Sequence, residues 1–361
     1  MNKAENNLLT NSEVVFIIFG SMVGVGILAL PASAAATAHE DGWITAIIGS
    51  VYPLYLIGIC AYFAKKFPND NILVISQKCF GRILGTILNF ILLTFFVFLC
   101  ASIATNYTNI IRTFIQGFLP SYILIALIFF VCAYTSTKGL KTIGKVSVVI
   151  FFTTVIIYFS PIGALKSASL LNVRPVIKSN IKDIFQGSLK TMFSYSGIET
   201  IFFIYPCVKD KKKFIKSSLM GLFIAVIVYT WVIFISIYYL GADIAEKNYW
   251  PFLLVTESVT VSIVNNFRYI FMFLWTLTVF KIVSNNYFIS KVIMQDLFKK
   301  VNFKVLCYGM VPIFIYGSLR LDGFVESGLI EEKLTNYYVI FILIFITILA
   351  LITLIKEGWK R

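Results

Sequence analysis

Apolar stretches long enough to cross a bilayer recur ten times along this 361-residue chain, with little polar sequence between them. They cover about Ser12–Ala36, Gly42–Ala64, Ile83–Ile111, Ser121–Thr137, Ile143–Ile162, Ile184–Val208, Phe214–Leu240, Phe267–Lys291, Lys304–Ser318 and Asn336–Lys356. A hydrocarbon core takes about 20 helical residues, because a helix satisfies its own backbone polar groups. The pattern predicts an all-α integral membrane protein with ten transmembrane helices. Composition agrees, since 59% of residues are hydrophobic and 13% charged, against about 25% charged in soluble domains. The expected organisation is an N-terminal tail (1–11), one membrane domain (12–356) and a C-terminal tail (357–361). The N-terminus MNKAENNLLTNSEVV lacks the basic-then-apolar order of a cleavable signal peptide, so the first run reads as a retained span. No polar stretch is long enough for a soluble catalytic domain, and an enzyme is not expected.

The net charge of +14 would suggest nucleic acid in a soluble protein. Here it reads as topology. With the N-terminus cytoplasmic, 20 of the 31 Lys and Arg fall in inside segments, nine outside, and two, Lys190 and Lys281, within spans. That asymmetry places both termini inside. The basic run Lys209–Lys216 reads as a topology anchor, and nucleic acid is not an expected partner. The six cysteines form no Cys-x-x-Cys pair and mostly lie in apolar runs, as small buried hydrophobes do. His39, beside Glu40 and Asp41, reads as a solvated loop, so neither a metal site nor a cofactor is expected.

Three glycines interrupt the first run, in Gly20-Ser-Met-Val-Gly24-Val-Gly26-Ile-Leu-Ala-Leu-Pro31. Glycine weakens a helix interior. The stretch fits either a small-residue packing face or a broken helix with free backbone groups; Pro31 suits a helix restarting nearby. The sixth run favours breakage. It reads Met192-Phe-Ser-Tyr-Ser-Gly-Ile-Glu-Thr200, with Gly197 and Glu199 near its middle. An ionisable group there costs on the order of 3 kcal/mol, which points to a ligand or proton role. Breaks in the first and sixth of ten spans predict a 5+5 inverted repeat. Lys281, in the eighth run, is expected to face the cavity, either pairing with Glu199 or occupying a cation site. Trp250-Pro251 opens a run to Val261 read as interfacial, and Asp243–Trp250 reads as a loop. Asn106-Tyr-Thr108 matches a glycosylation sequon but reads as polar residues near the membrane interface.

Gly24-Val-Gly26-Ile-Leu-Ala-Leu-Pro31 resembles the signature of the amino acid–polyamine–organocation transporter superfamily. Asp41-Gly-Trp-Ile44, Asn172-Val-Arg-Pro-Val176, Ser196-Gly-Ile-Glu199, Tyr205-Pro206 and Trp250-Pro251 narrow this. In their order and spacing they resemble the spore germination permease family, the B subunit of spore nutrient-germinant receptors. The resemblance implies a spore inner-membrane protein that associates with A and C subunits. It implies a small germinant, commonly an amino acid, held between broken helices one and six. It supplies the Gly24–Ile27 and Gly197–Glu199 breaks, and the expected site comprises Val23, Gly24, Val25, Gly26 and Ile27 with Tyr195, Ser196, Gly197, Ile198 and Glu199. Glu199 and Lys281 are candidates for proton or charge coupling. Two other functions compete: an amino acid–proton symporter using the same pocket, and a structural or channel subunit.

Overall fold

All ten apolar runs form helix in the computed structural model, which describes residues 8–115, 117–166, 168–259, 267–321, 323 and 325–358. Most of the two expected tails lies outside these residues. The first run is divided into α1 (Asn11–Met22) and α2 (Leu30–Ala38). Thr10 and Glu13 form a reciprocal capping box on α1, satisfying two of the donors that a helix start leaves orphaned. Lys141 reaches Glu13 at 2.7 Å. The second run is α3 (Gly42–Gly49) and α4 (Val51–Lys66), meeting at Ser50 rather than running unbroken. A short amphipathic helix, α5 (Ile72–Phe80), follows, started by Asn71, whose side chain accepts from Leu73 and Val74 N–H. The next three runs are α6 (Arg82–Phe114), α7 (Ser121–Thr137) and α8 (Leu140–Phe159).

The sixth run is again divided, into α9 (Ile181–Met192) and the one-turn α10 (Ile201–Ile204) with 3-10 turns between and after them. α11 (Phe214–Leu240) is continuous. The segment expected as a loop contains α12 (Ala242–Lys247). The Trp250–Val261 run, read as interfacial, forms α13 (Pro251–Glu257) as far as it is described. α13 is not a surface helix. Its Phe252, Leu253 and Val255 are fully buried, and it packs on α11 and α14, as suits a short helix with apolar residues around its circumference. The eighth run is α14 (Phe267–Leu297). The ninth is α15 (Phe303–Gly309) and α16 (Val311–Arg320), and the tenth is α17 (Val325–Gly358).

The core gathers around the broken first run. α1 packs on α8, α11 and α14, while α14 also lies against α6 and α7. Bulky apolar side chains such as Ile83, Phe152, Ile156 and Phe273 point outward and are more than 60% exposed. That arrangement suits hydrocarbon as the surrounding solvent. Cys60, Cys100, Cys132 and Cys307 are buried, as the apolar runs around them predict.

The Asp41 motif explains itself in the fold. Its carboxylate accepts the N–H groups of Ile177, Lys178 and Ser179 at 2.7, 2.8 and 2.9 Å. Ser179 Oγ adds a bond to Ala38 O at 2.7 Å. One buried side chain thus fastens the segment before α9 to the end of α2.

Candidate ligand site between the broken helices

α1 ends where Val23 turns extended (φ −82°, ψ 109°) and Gly24 leaves helical space (φ −147°, ψ −134°). A 3-10 turn, Val25–Leu28, then leads to α2. In the sixth run Ser196 is extended and Gly197 is left-handed, with φ of 109°. The two breaks touch back to back. A Cβ on Gly197 would stand 1.9 Å from Ser21 O, so both the conformation and the space demand glycine. Tyr229 of α11 links them further: its hydroxyl lies 2.8 Å from both Met22 O and Ser194 O. It has one hydrogen to donate, so one carbonyl keeps spare acceptor capacity at any moment.

Glu199 is 2% exposed. Oε2 accepts the N–H of Gly197 at 2.6 Å, and Oε1 accepts the hydroxyl of Tyr52. Lys281 is equally buried, 1% exposed, but it does not meet Glu199. Its stem lies over Gly20, where a Cβ would come within 2.7 Å, and its ammonium sits 4.6 Å from the centre of the Phe19 ring. Among the described residues Lys281 Nζ has no hydrogen-bond partner. The glycine at position 20 therefore makes room for the lysine.

A cavity of about 430 Å³ opens on one side of the breaks. Of the expected site residues, Gly24, Val25, Gly26 and Ser196 line it. Val23, Ile27, Tyr195, Gly197, Ile198, Glu199 and Lys281 are buried outside its lining. Tyr195 turns its hydroxyl to Ala46 O, 2.8 Å away. Gly26 is exposed, with nothing within 4 Å of the place a Cβ would occupy.

The far wall holds residues that sequence reading did not assign to the site. Asn106 and Ser102 come from α6, Lys190 from α9, Trp250 from the turn before α13, and Glu331, Glu332 and Asn336 from α17. The sequon asparagine is a wall residue of the cavity: Asn106 donates to Glu331 Oε2 at 2.7 Å and to Ser102 O at 3.1 Å. Lys190 was visible as a charge within a span. Glu331 and Glu332 precede the apolar stretch from Asn336, and only the continuation of α17 beyond that stretch brings them in. Tyr52 carried no signal among 19 tyrosines.

A bundle of spanning helices, broken in the first and sixth and bordering a cavity at the breaks, is a fold found in solved membrane transporters. A Na+-coupled sialic acid symporter in a substrate-bound outward-open state superimposes with a TM-score of 0.66 at 12% identity, covering 92% of this chain and 79% of that one. Mhp1, a nucleobase-cation-symport-1 family transporter in a closed conformation with bromovinylhydantoin bound, gives 0.69 at 13% identity, covering 94% and 78%.

Sequence comparison identifies the family. The spore germination protein (spore permease) model matches residues 8–322, and the chain belongs to that family. It is 24% identical to spore germination protein GerQB of Bacillus cereus over 96% of both chains. To spore germination protein YndE of Bacillus subtilis (strain 168) it is 24% identical, over 84% of this chain and 85% of the relative.

Proposed function

We propose that this protein is the membrane subunit of a spore nutrient-germinant receptor. In this reading the cavity beside Gly24–Gly26 and Ser196 binds a small germinant, an amino acid. The observation that carries it is the cavity itself, set against the break in a chain of this family. An amino acid presents a carboxylate and an ammonium. Gly24 and Val25 lie beyond the end of α1, and among the described residues their N–H groups meet no acceptor. They suit the carboxylate. Met22 O and Ser194 O share a single hydroxyl hydrogen, and the less engaged carbonyl suits the ammonium.

Orientation supports the same reading. With both termini cytoplasmic, as the basic residues favour, Ser33, Lys190, Trp250 and Glu331 stand toward the outer face, and the cavity opens to arriving nutrient. The spore inner membrane is the setting. The chain carries the signal by changing shape, which requires the germinant to bind one conformation more tightly than another. The germinant-receptor A and C subunits receive it. Glu199 and Lys281, buried behind the site, are the charged groups through which such a change is coupled.

One observation favours an amino acid–proton symporter instead. Glu199 has a hydroxyl and an N–H as partners and, among the described residues, no cation, an arrangement suited to a carboxyl that exchanges a proton. Deleting the gene and testing spores against single amino acids separates the readings. Loss of germination with one nutrient supports the receptor. Unchanged germination with all of them, together with ligand-gated uptake by the reconstituted chain, supports the symporter.

A further inference from the structure

We infer that the cavity takes a ligand with a second cationic group besides its α-ammonium, a basic amino acid, and that Glu331 receives that group. The inference rests on the reading above, in which the amino-acid head lies at the helix breaks.

Glu331 reaches the cavity from α17 and is half-buried there. Asn106 donates to its carboxylate at 2.7 Å, the Ser102 side chain is a second partner, and Asn106 is itself fixed by Ser102 O. A carboxylate offers about four lone-pair sites, so these two neutral partners leave part of its capacity open and its charge unpaired. Among the described residues no Lys or Arg pairs with Glu331. Glu332 lines the same wall, and Lys190 is the one cation among the lining residues, so two negative charges face one positive.

A second observation concerns Ser196. Ser196 is 9% exposed and lines the cavity, yet among the described residues its Oγ has no hydrogen-bond partner. Buried polar groups are normally satisfied, so this hydroxyl awaits a polar group from a ligand. The occupant therefore presents polar groups to Ser196 and to Glu331, and the one facing Glu331 carries positive charge. An apolar side chain would strip water from Glu331 without replacing its hydrogen bonds, and an acidic one would be repelled.

The test is equilibrium binding to the full chain in lipid nanodiscs, using L-lysine, L-norleucine and L-glutamate. Norleucine has lysine's carbon chain without the terminal ammonium. Lysine is expected to bind at least about tenfold more tightly than norleucine, with glutamate weakest. Glu331→Gln keeps an oxygen for Asn106 and should weaken lysine by about 10- to 100-fold while leaving norleucine unchanged. Glu331→Asp, which keeps the charge, should retain the lysine preference; should Glu331→Gln lower the unliganded melting temperature, this second variant decides. Norleucine binding as well as lysine, with both indifferent to Glu331→Gln, overturns the inference but leaves the amino-acid site standing. Binding of no amino acid from a full panel of twenty overturns the site reading, and this inference with it.

Discussion

Gly197 and Ser21 meet so closely that a single added carbon on Gly197 would lie 1.9 Å from the Ser21 carbonyl oxygen. The contact joins the unwound centres of two helices that enter from opposite halves of the chain. Because Gly197 also has a φ of 109°, alanine there would meet both backbone strain and overlap. Gly197→Ala should destabilise the protein by more than about 2 kcal/mol. The melting temperature of the purified full chain checks this.

Tyr229 carries the other link between the breaks. Tyr229→Phe keeps the ring against Tyr195, whose centroid is 5.0 Å away, and removes only the hydroxyl. Met22 O and Ser194 O lose their shared donor, at a cost of about 1–3 kcal/mol. A ligand ammonium would then find both carbonyls open. Thermal unfolding of the variant with and without bound amino acid should show the loss largely recovered by ligand.

Lys281 is a buried ammonium with an aromatic face as its one described polar contact. Replacing such a group with an apolar residue of similar length is often neutral or stabilising by about 1–4 kcal/mol. Lys281→Met should therefore melt at or above the wild-type temperature, while spores carrying it lose their germinant response. A clear fall in melting temperature would mark Lys281 as structural.

Asp41 gathers three backbone N–H groups with one carboxylate. Asp41→Asn presents an amide NH2 to donors and should free the segment over 175–180. Limited proteolysis should cut there in the variant and spare the wild type, with about 2–3 kcal/mol of stability lost.

The sequence discloses the bundle well and the site by halves. Apolar runs, with six helices long and apolar enough to cross a membrane among the described residues, leave a membrane chain little alternative to helix, and glycines clustered at 20–26 and 197 mark both breaks. Glu199 stood out because a charge in mid-run is costly. What periodicity does not reveal is which side of a break holds the cavity. Tyr195 and Glu199 lie near the sequence of the break yet face Ala46 and Tyr52, because the unwound backbone points successive residues in unrelated directions. Asn106, Glu331 and Trp250 come from distant runs, and only packing brings them together. Lys281 is buried in the bundle, but it lies outside the cavity lining and does not meet Glu199, whose carboxylate faces Tyr52 and Gly197.

Gly26 offers the most direct test of the account. Nothing stands within 4 Å of where its Cβ would project, and the residue lines the cavity. Gly26→Leu therefore has room for its Cβ and directs its side chain into ligand space. The measurement is binding of single amino acids to the wild type and to Gly26→Leu, both as full chains in nanodiscs with matched unliganded melting temperatures. The account predicts that an amino acid bound by the wild type binds the variant at least about tenfold more weakly. Equal binding to both would contradict it.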